Sequence, residues 1–128
     1  MKNTNKGNKK CFIYARKACD AVDSSFDAIN TQIAICKECA SKAGYEVLGV
    51  FSDIGSEPLQ SESELNEMLR VLKRIHVDAV IVNDISRLSR NVIHASSIIE
   101  KLSMRNVALV TVDTSKIELY PTILFNCI

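Results

Sequence analysis

Two segments of the chain carry arginines directly after short apolar runs, and these side chains are suited to holding phosphate. Arg16 and Lys17 follow an apolar run at residues 11–15, and Ser86-Arg87-Leu88-Ser89-Arg90 comes shortly after an apolar run at residues 79–82. Guanidinium groups stay charged and bind phosphate oxygens in pairs, so converging arginines suit a phosphodiester on which charge develops during reaction. A plainer alternative is that these arginines are solvated or paired with carboxylates such as Asp84.

The elements that must position these residues alternate along the chain. Short apolar or alternating runs predict strands at residues 11–15, 45–52, 79–83 and 107–112. Apolar residues at helical spacing predict helices at residues 29–40, 61–72 and 91–104. This order predicts an α/β fold with a mostly parallel sheet of four to five strands and helices on both faces. Ligands bind beyond the carboxyl ends of such strands, where both arginine segments fall.

Local signals define the ends of the predicted helices. Gly44 supplies a left-handed cap for the first helix, and Ser61 followed by Glu64 fits a capping box at the start of the second. Arg87 and Arg90 are three residues apart where the third helix is predicted to begin, so both should point the same way. We expect Arg16 to leave the neighbouring strand beside them.

Length and composition indicate one globular domain. The chain has 128 residues, of which 47% are apolar and 24% charged, which excludes a disordered chain. We interpret residues 1–10 as a flexible basic leader and residues 11–128 as the domain. The apolar runs are far shorter than the roughly 20 residues of a membrane span, and the polar N-terminus does not resemble a secretory signal. These features predict a cytoplasmic protein with no membrane partner.

Cysteine usage and charge give weaker signals. Five cysteines without framework spacing predict free thiols in a reducing compartment. The pair Cys36 and Cys39 could indicate a metal or redox site, but its place inside a predicted helix favours core packing. The acidic and basic side chains of the second helix most simply form a solvated face; they are Glu62, Glu64, Glu67, Arg70, Lys73 and Arg74. A net charge of +1 means that any nucleic-acid contact must come from local clusters.

Four segments resemble, in the same order, the motifs of the serine recombinases, which include resolvases, invertases and larger integrases. Residues 14–19, Tyr-Ala-Arg-Lys-Ala-Cys, resemble the opening YxR(x)S motif, and residues 30–32 resemble the family's glutamine segment. Residues 53–56, Asp-Ile-Gly-Ser, resemble its acidic-to-serine loop. Residues 84–91 resemble the SRLxRN motif, which is the most specific match because both arginines, the leucine and the asparagine agree.

The resemblance implies a resolvase-like catalytic domain that acts on DNA. In this family a serine hydroxyl attacks a DNA phosphodiester and forms a phosphoserine link, without metal or other cofactor, and the strands are then rejoined. Arg16, Arg87 and Arg90 would hold the scissile phosphate and, together with Lys17, contact DNA. The supporting positions carried over from the family are Gln32 and Ser56, which support the site, and Asp53, which orients the loop. The family also implies a dimer or tetramer.

Two departures from the family pattern predict impaired catalysis. The nucleophile position is Ala18, and Glu62 stands where the family has an arginine after the loop. Glu57 also replaces the glycine that follows the loop serine, which changes the freedom and the charge of the backbone there. Nearby hydroxyl or thiol groups could substitute for the missing serine, but their side chains should point elsewhere, and we expect them to be bystanders; they are Cys19, Ser24 and Ser25.

The sequence therefore leaves more than one function open. One is a recombinase catalytic domain that is inactive as it stands, and the other is a non-catalytic DNA-binding or dimerisation module that regulates an active recombinase through mixed oligomers. A third reading is that Ala18 was introduced deliberately, although Glu62 would then be unexplained. Residues 120–128 resemble only the start of the family's long dimerisation helix, so we expect either a truncated chain or an apolar end that pairs with another chain.

Overall fold

Parallel strands and intervening helices make up the part of the chain that the computed structural model describes, which is residues 9–17, 25–54, 63–89, 91–112 and 123–124. The strands are β1 (Lys9–Lys17), β2 (Tyr45–Ile54), β3 (Ala79–Val82), β4 (Ala108–Thr111) and β5 (Ile123–Leu124). The helices are α1 (Ser25–Ala43), α2 (Glu64–Val71) and α3 (Val92–Met104), and a short 3-10 helix at Ile85–Arg87 precedes α3.

The five strands form one sheet in the order β2-β1-β3-β4-β5, and every neighbouring pair is parallel. The predicted α/β fold with a parallel sheet is therefore confirmed. Strand β1 lies between β2 and β3, and its register places Arg16 opposite Asp53. This topology brings the ends of the first, second and third strands together at one edge of the sheet.

Alternating side chains of β1 point to opposite faces of the sheet and build two cores. Phe12 and Tyr14 belong to the core beneath α2 and α3, whereas Cys11 and Ile13 belong to the core beneath α1. Strand β3 divides its four buried residues between the same two cores. Helices on both faces explain why the central strands are apolar along their whole length, as the prediction assumed.

The start of α2 differs from the predicted capping box. The helix begins at Glu64, and its N-cap is Ser63, whose side chain accepts a hydrogen bond from the Asn66 amide at 3.1 Å. Ser61 lies outside the described residues, and Glu64 is the first helical residue instead of the fourth position of a box. The capping box was wrong because carboxylate oxygens from β2, described below, satisfy the two amides that precede Asn66.

The predicted helix at residues 91–104 is confirmed, but the placement of Arg87 at its start is wrong. Arg87 ends the 3-10 helix, and α3 begins only at Val92 behind the N-cap Asn91, whose side chain accepts from the His94 amide at 3.1 Å. Arg87 therefore does not lie on α3. At the end of α1, by contrast, Gly44 adopts a φ of +84°, which confirms the predicted left-handed cap.

The cysteines agree with the expectation only in part. Cys11 and Cys36 are buried free thiols of the α1 core, but Cys39 takes part in a disulfide bond. Free thiols were therefore wrongly predicted at Cys39, because the count and spacing of cysteines do not reveal which side chains a fold brings together. Within the described ranges, no helix has the length and apolar character needed to cross a membrane.

Candidate functional site

The side chain of Arg16 turns inward at the carboxyl end of β1. Only 2% of this residue is exposed, and its guanidinium donates to two main-chain oxygens of the 3-10 helix. Nε lies 3.0 Å from the oxygen of Arg87, and Nη2 lies 2.6 Å from the oxygen of Ser86. Charged donors to carbonyl oxygens form strong hydrogen bonds. Arg16 therefore ties the end of β1 to the segment that follows β3.

Gln32 fixes the backbone of Arg16 from the opposite side. Its Oε1 accepts from the Arg16 amide at 3.2 Å, and its Nε2 donates to the Arg16 oxygen at 3.0 Å. The side-chain amide of Gln32 thus bonds to both the backbone N–H and the backbone oxygen of Arg16, as the backbone of a neighbouring strand would. Gln32 is only 3% exposed, so this pair of bonds satisfies a side chain that would be costly to bury alone.

Arg87 in turn donates a hydrogen bond to Arg16, and part of its side chain is exposed to solvent. Its Nη1 donates to the Arg16 oxygen at 3.1 Å, and 33% of its side chain is exposed. Its Nε lies 3.8 Å from Oδ2 of Asp84, which is an ion pair without a hydrogen bond, and this buried Nε has no hydrogen-bond partner. The alternative pairing of arginine with Asp84 thus holds for Arg87 only as a loose contact. Since this Nε is buried, an external anion could reach only the exposed remainder of the Arg87 guanidinium.

Asp84 shapes the 3-10 helix that presents Arg87. Its carboxylate accepts from the Ser86 amide at 2.9 Å and also from the Ser86 hydroxyl. A side-chain oxygen that caps a turn in this way holds the following residues in a defined conformation. The Arg16 guanidinium also donates to the main-chain oxygens of this turn. Hydrogen bonds from Arg16 and to Asp84 therefore fix the direction in which the Arg87 side chain leaves the backbone.

Asp53, at the end of β2, bonds to β1 and to α2 at once. Its Oδ2 accepts from the Tyr14 hydroxyl at 2.7 Å and from the Leu65 amide at 3.0 Å, and its Oδ1 accepts from the Glu64 amide at 2.9 Å. Asp53 is thus a second cap for α2, supplied by a strand. Burial, followed by the hydrogen bond to Asp53, raises the pKa of Tyr14 well above its usual range, so this tyrosine remains a donor at neutral pH.

The structure brings together three of the predicted site residues, Arg16, Gln32 and Arg87, and places Asp53 beside the first of them in the sheet register. Lys17 lies next in β1, and alternation along the strand points it to the opposite face from Arg16. The remaining predicted positions lie outside the described residues; they are Ala18, Ser56, Glu57, Glu62 and Arg90.

Two residues of this site had no predicted role in it. Tyr14 anchors Asp53, and its place in the opening motif together with the need of a buried hydroxyl for a partner could have identified it. Asp84 caps the turn that carries Arg87, and the Asp-x-Ser spacing after a strand is a signal for such a turn. In this arrangement the Arg87 guanidinium is partly exposed to solvent, and hydrogen bonds from Arg16 and to Asp84 hold the turn that carries it.

The comparisons with known proteins agree with this fold. Residues 11–123 match the family described as Resolvase, N terminal domain, whereas no curated protein matches the chain. The C-terminal catalytic domain of ISC1926 TnpA, an IS607-like serine recombinase, is 27% identical, with a TM-score of 0.69 over 80% of this chain and 70% of that chain.

Two further solved structures show the same fold. The N-terminal catalytic domain of TP901-1 integrase is 21% identical, with a TM-score of 0.70 over 89% of this chain and 91% of that chain. A resolvase family site-specific recombinase from Streptococcus pneumoniae is 23% identical, with a TM-score of 0.66 over 81% of this chain and 72% of that chain. Because the family match spans most of the sequence and the fold agrees, this chain belongs to the resolvase N-terminal domain family.

Proposed function

We propose that this protein is a serine recombinase catalytic domain whose partner is DNA and whose chemistry is impaired. The observation that carries the proposal is the pair of reciprocal hydrogen bonds between Arg16 and Arg87 at the carboxyl edge of a parallel sheet. The chain that contains them belongs to the resolvase family. Ligands of such sheets bind at this edge, and a fixed guanidinium is suited to the phosphates of DNA. A DNA partner also fits a cytoplasmic location.

The contacts support a division of roles among the site residues. Arg87, with Arg90, binds the scissile phosphate, because the Arg87 guanidinium is partly exposed at the carboxyl edge of the sheet. Arg16 is a positioning residue whose guanidinium is largely committed to carbonyl oxygens. Gln32 supports the backbone of Arg16, and Asp53 orients the loop that contains Ser56 by capping the helix that follows it.

Two positions account for the impaired chemistry. Ala18 has no atom that could attack phosphorus, and removal of the attacking serine in a serine hydrolase lowers turnover by roughly a million-fold. Glu62, at the position of a family arginine, would repel the phosphate on which negative charge develops. Their effects differ in kind, because one removes the nucleophile and the other weakens the electrostatic hold on the substrate.

A second candidate function is that of a module that regulates an active recombinase without catalysis of its own. The scaffold around Arg16 and Arg87 is intact, whereas the nucleophile position holds alanine. A domain that keeps phosphate contacts without cleavage could regulate an active recombinase by joining its dimers or tetramers. In that case the protein would lower the activity of a related recombinase when the two are mixed, and it would do so without forming a covalent link to DNA.

DNA binding by matched arginine variants tests the proposed role of Arg87. Arg87→Gln should weaken binding to a fluorescent DNA duplex and reduce the slope of log affinity against log salt by about one, because one phosphate contact is lost. Arg74→Gln is the control, because it removes the same charge from an exposed position after α2. Equal weakening by the two variants would mean that the DNA contact is unspecific electrostatics and would contradict the proposed site.

A further inference from the structure

A groove with an apolar floor and a basic rim lies between the ends of α2 and α3, away from the site described above. Its volume is about 790 Å³, and side chains of both helices and of the residues that follow them line it. The apolar part of the lining is Leu69, Leu72, Leu102 and Met104, and the basic part is Arg70, Lys73, Lys101 and Arg105. Asn66 completes the described lining, which contains no carboxylate.

Most of the basic rim has no acidic partner in the part of the chain that the structure describes. Arg70 pairs with Glu67 at 2.8 Å, whereas no described carboxylate forms an ion pair with Lys73, Lys101 or Arg105. Cations in the last turn of a helix favour the helix dipole, which accounts for part of this charge. Lys73 and Arg105, however, lie beyond the ends of their helices, so the helix dipoles do not account for the whole rim.

The floor of the groove combines exposed and partly buried apolar side chains. Met104 is 77% exposed, and Leu69 is partly buried against the core below. A flexible methionine side chain adapts to apolar partners of varied shape, and exposed apolar surface rimmed by polar residues is typical of protein interaction sites. The groove thus offers a binding partner both apolar contacts and positive charge.

Most of the groove lies at the C-terminal ends of α2 and α3, which point away from the edge of the sheet that holds Arg16 and Arg87. Asp53 caps the first residues of α2 near the carboxyl edge of the sheet, and α3 starts shortly after the turn that carries Arg87. The 13 residues of α3 span about 20 Å, and the groove is at its C-terminal end. A DNA phosphate held by Arg87 therefore cannot also contact the groove, and the DNA backbone offers nothing to its apolar floor.

We propose that this groove binds an acidic amphipathic segment of a partner protein. The carboxylates of such a segment would face the basic rim, and its apolar side chains would contact Met104 and the leucines of the floor. The volume suits a few side chains, as in the docking of one or two helical turns. This surface is separate from the proposed recombinase site, so the proposal does not depend on DNA binding or on catalysis.

The test uses a defined peptide probe and a pair of charge-matched variants. The probe is a fluorescent 12-residue peptide with leucine at helical spacing and glutamate between, and a scrambled peptide of the same composition is its control. Lys101→Glu with Arg105→Glu should weaken binding about 30-fold in fluorescence anisotropy, because two favourable charge pairs become repulsive. Lys37→Glu with Lys42→Glu makes the same change of charge on exposed positions of α1 and should alter affinity less than about twofold.

A third variant separates apolar from electrostatic binding. Met104→Ser should lower the affinity for the probe peptide about fivefold, because an apolar contact is lost. The temperature of thermal unfolding should stay unchanged, because this side chain is mostly exposed. Circular dichroism of every variant checks that the fold is retained. The proposal is overturned if the wild-type chain does not bind the probe, if the scrambled peptide binds equally well, or if both double variants weaken binding alike. It is also overturned if Lys101→Glu with Arg105→Glu weakens the binding of a 12-base-pair DNA duplex but not the binding of the peptide.

Discussion

Arg16 and Arg87 each donate a guanidinium N–H to the main-chain oxygen of the other, at 3.0 Å from Nε of Arg16 and 3.1 Å from Nη1 of Arg87. The two residues are far apart in sequence, so this exchange joins the end of β1 to the turn after β3. Arg87, which we propose contacts phosphate, and the buried Arg16 thus also hold the carboxyl edge of the sheet together.

The first prediction concerns the fork geometry of Arg16. Arg16→Lys should lower the free energy of unfolding by about 2–3 kcal/mol, because one ammonium group cannot replace a planar fork on two carbonyl oxygens and leaves a buried acceptor unsatisfied. Urea denaturation followed by circular dichroism measures this change. Arg74→Lys, at an exposed position, is the control and should change stability by less than about 0.5 kcal/mol. A similar small effect for Arg16→Lys would show that the two bonds to the turn contribute little.

The second prediction concerns the cap that Asp53 provides for α2. Asp53→Ala should cost about 2–3 kcal/mol, since the amides of Glu64 and Leu65 and the hydroxyl of Tyr14 all lose their acceptor. Tyr14→Phe should cost about 1 kcal/mol, and the double variant should cost less than the sum, because both changes remove the same bond. Strict additivity in denaturant unfolding would mean that the hydroxyl and the carboxylate do not interact in solution.

The third prediction concerns pH. Burial raises the pKa of Cys11 from 9.0 to about 11, and burial together with the neighbouring Cys11 raises that of Cys36 from 9.0 to about 12. The folded state therefore holds these protons more tightly than the unfolded state does. The resulting stabilisation is complete below pH 9 and is lost as the pH rises through 9 toward 11 and 12.

Unfolding measured between pH 8 and pH 10.5 checks this prediction. The wild-type chain should lose stability over this range, and Cys36→Ala should lose about 1–2 kcal/mol less of it, although the lost side-chain volume makes that variant less stable at every pH. If Cys36→Ala declines as steeply as the wild type, the thiol of Cys36 is not responsible for the loss.

The fourth prediction concerns affinity for DNA. With a net charge of +1, the chain should bind duplex DNA weakly, with dissociation constants above about 1 µM at physiological salt, a shallow salt dependence and no preference for sequence. Fluorescence anisotropy with two unrelated duplexes over a range of salt concentrations measures all three properties. Tight binding to one of these duplexes only would show that the described domain reads sequence, which a single exposed arginine cluster does not explain.

The parallel sheet and its helices could be predicted from the sequence because they depend on local patterns. The apolar runs of β1 and β3 and the left-handed cap at Gly44 are all visible in a few neighbouring residues. The helix starts were less predictable. Asp53 caps α2 from a different strand, so no short window that contains Ser61 and Glu64 could reveal that the capping box is not used.

The candidate site was predictable in its residue types but not in its contacts. The position of Arg16 beside Arg87 follows from strand order, yet the sequence gives no sign that the Arg16 guanidinium binds main-chain oxygens. That arrangement depends on where the turn after β3 places its carbonyl groups. The disulfide bond of Cys39 was likewise not predictable, because side-chain pairing across a fold is a property of tertiary structure.

We propose that a recombinase site is present here and that it lacks both its nucleophile and one phosphate-binding charge. Covalent capture of DNA tests it most directly, with residues 11–128 replacing the catalytic domain of an active serine recombinase and with that enzyme's suicide substrate. The active enzyme serves as the positive control, and circular dichroism shows whether each chimera is folded.

We expect no adduct with the wild-type residues, little with Ala18→Ser, and substantially more with Ala18→Ser and Glu62→Arg together, because attack requires an aligned hydroxyl facing a neutralised phosphate. Full recovery with Ala18→Ser alone would show that Glu62 does not occupy the arginine position. A covalent adduct formed by the chimera with Ala18 in place would show that the domain has a working nucleophile and would contradict the proposed impairment.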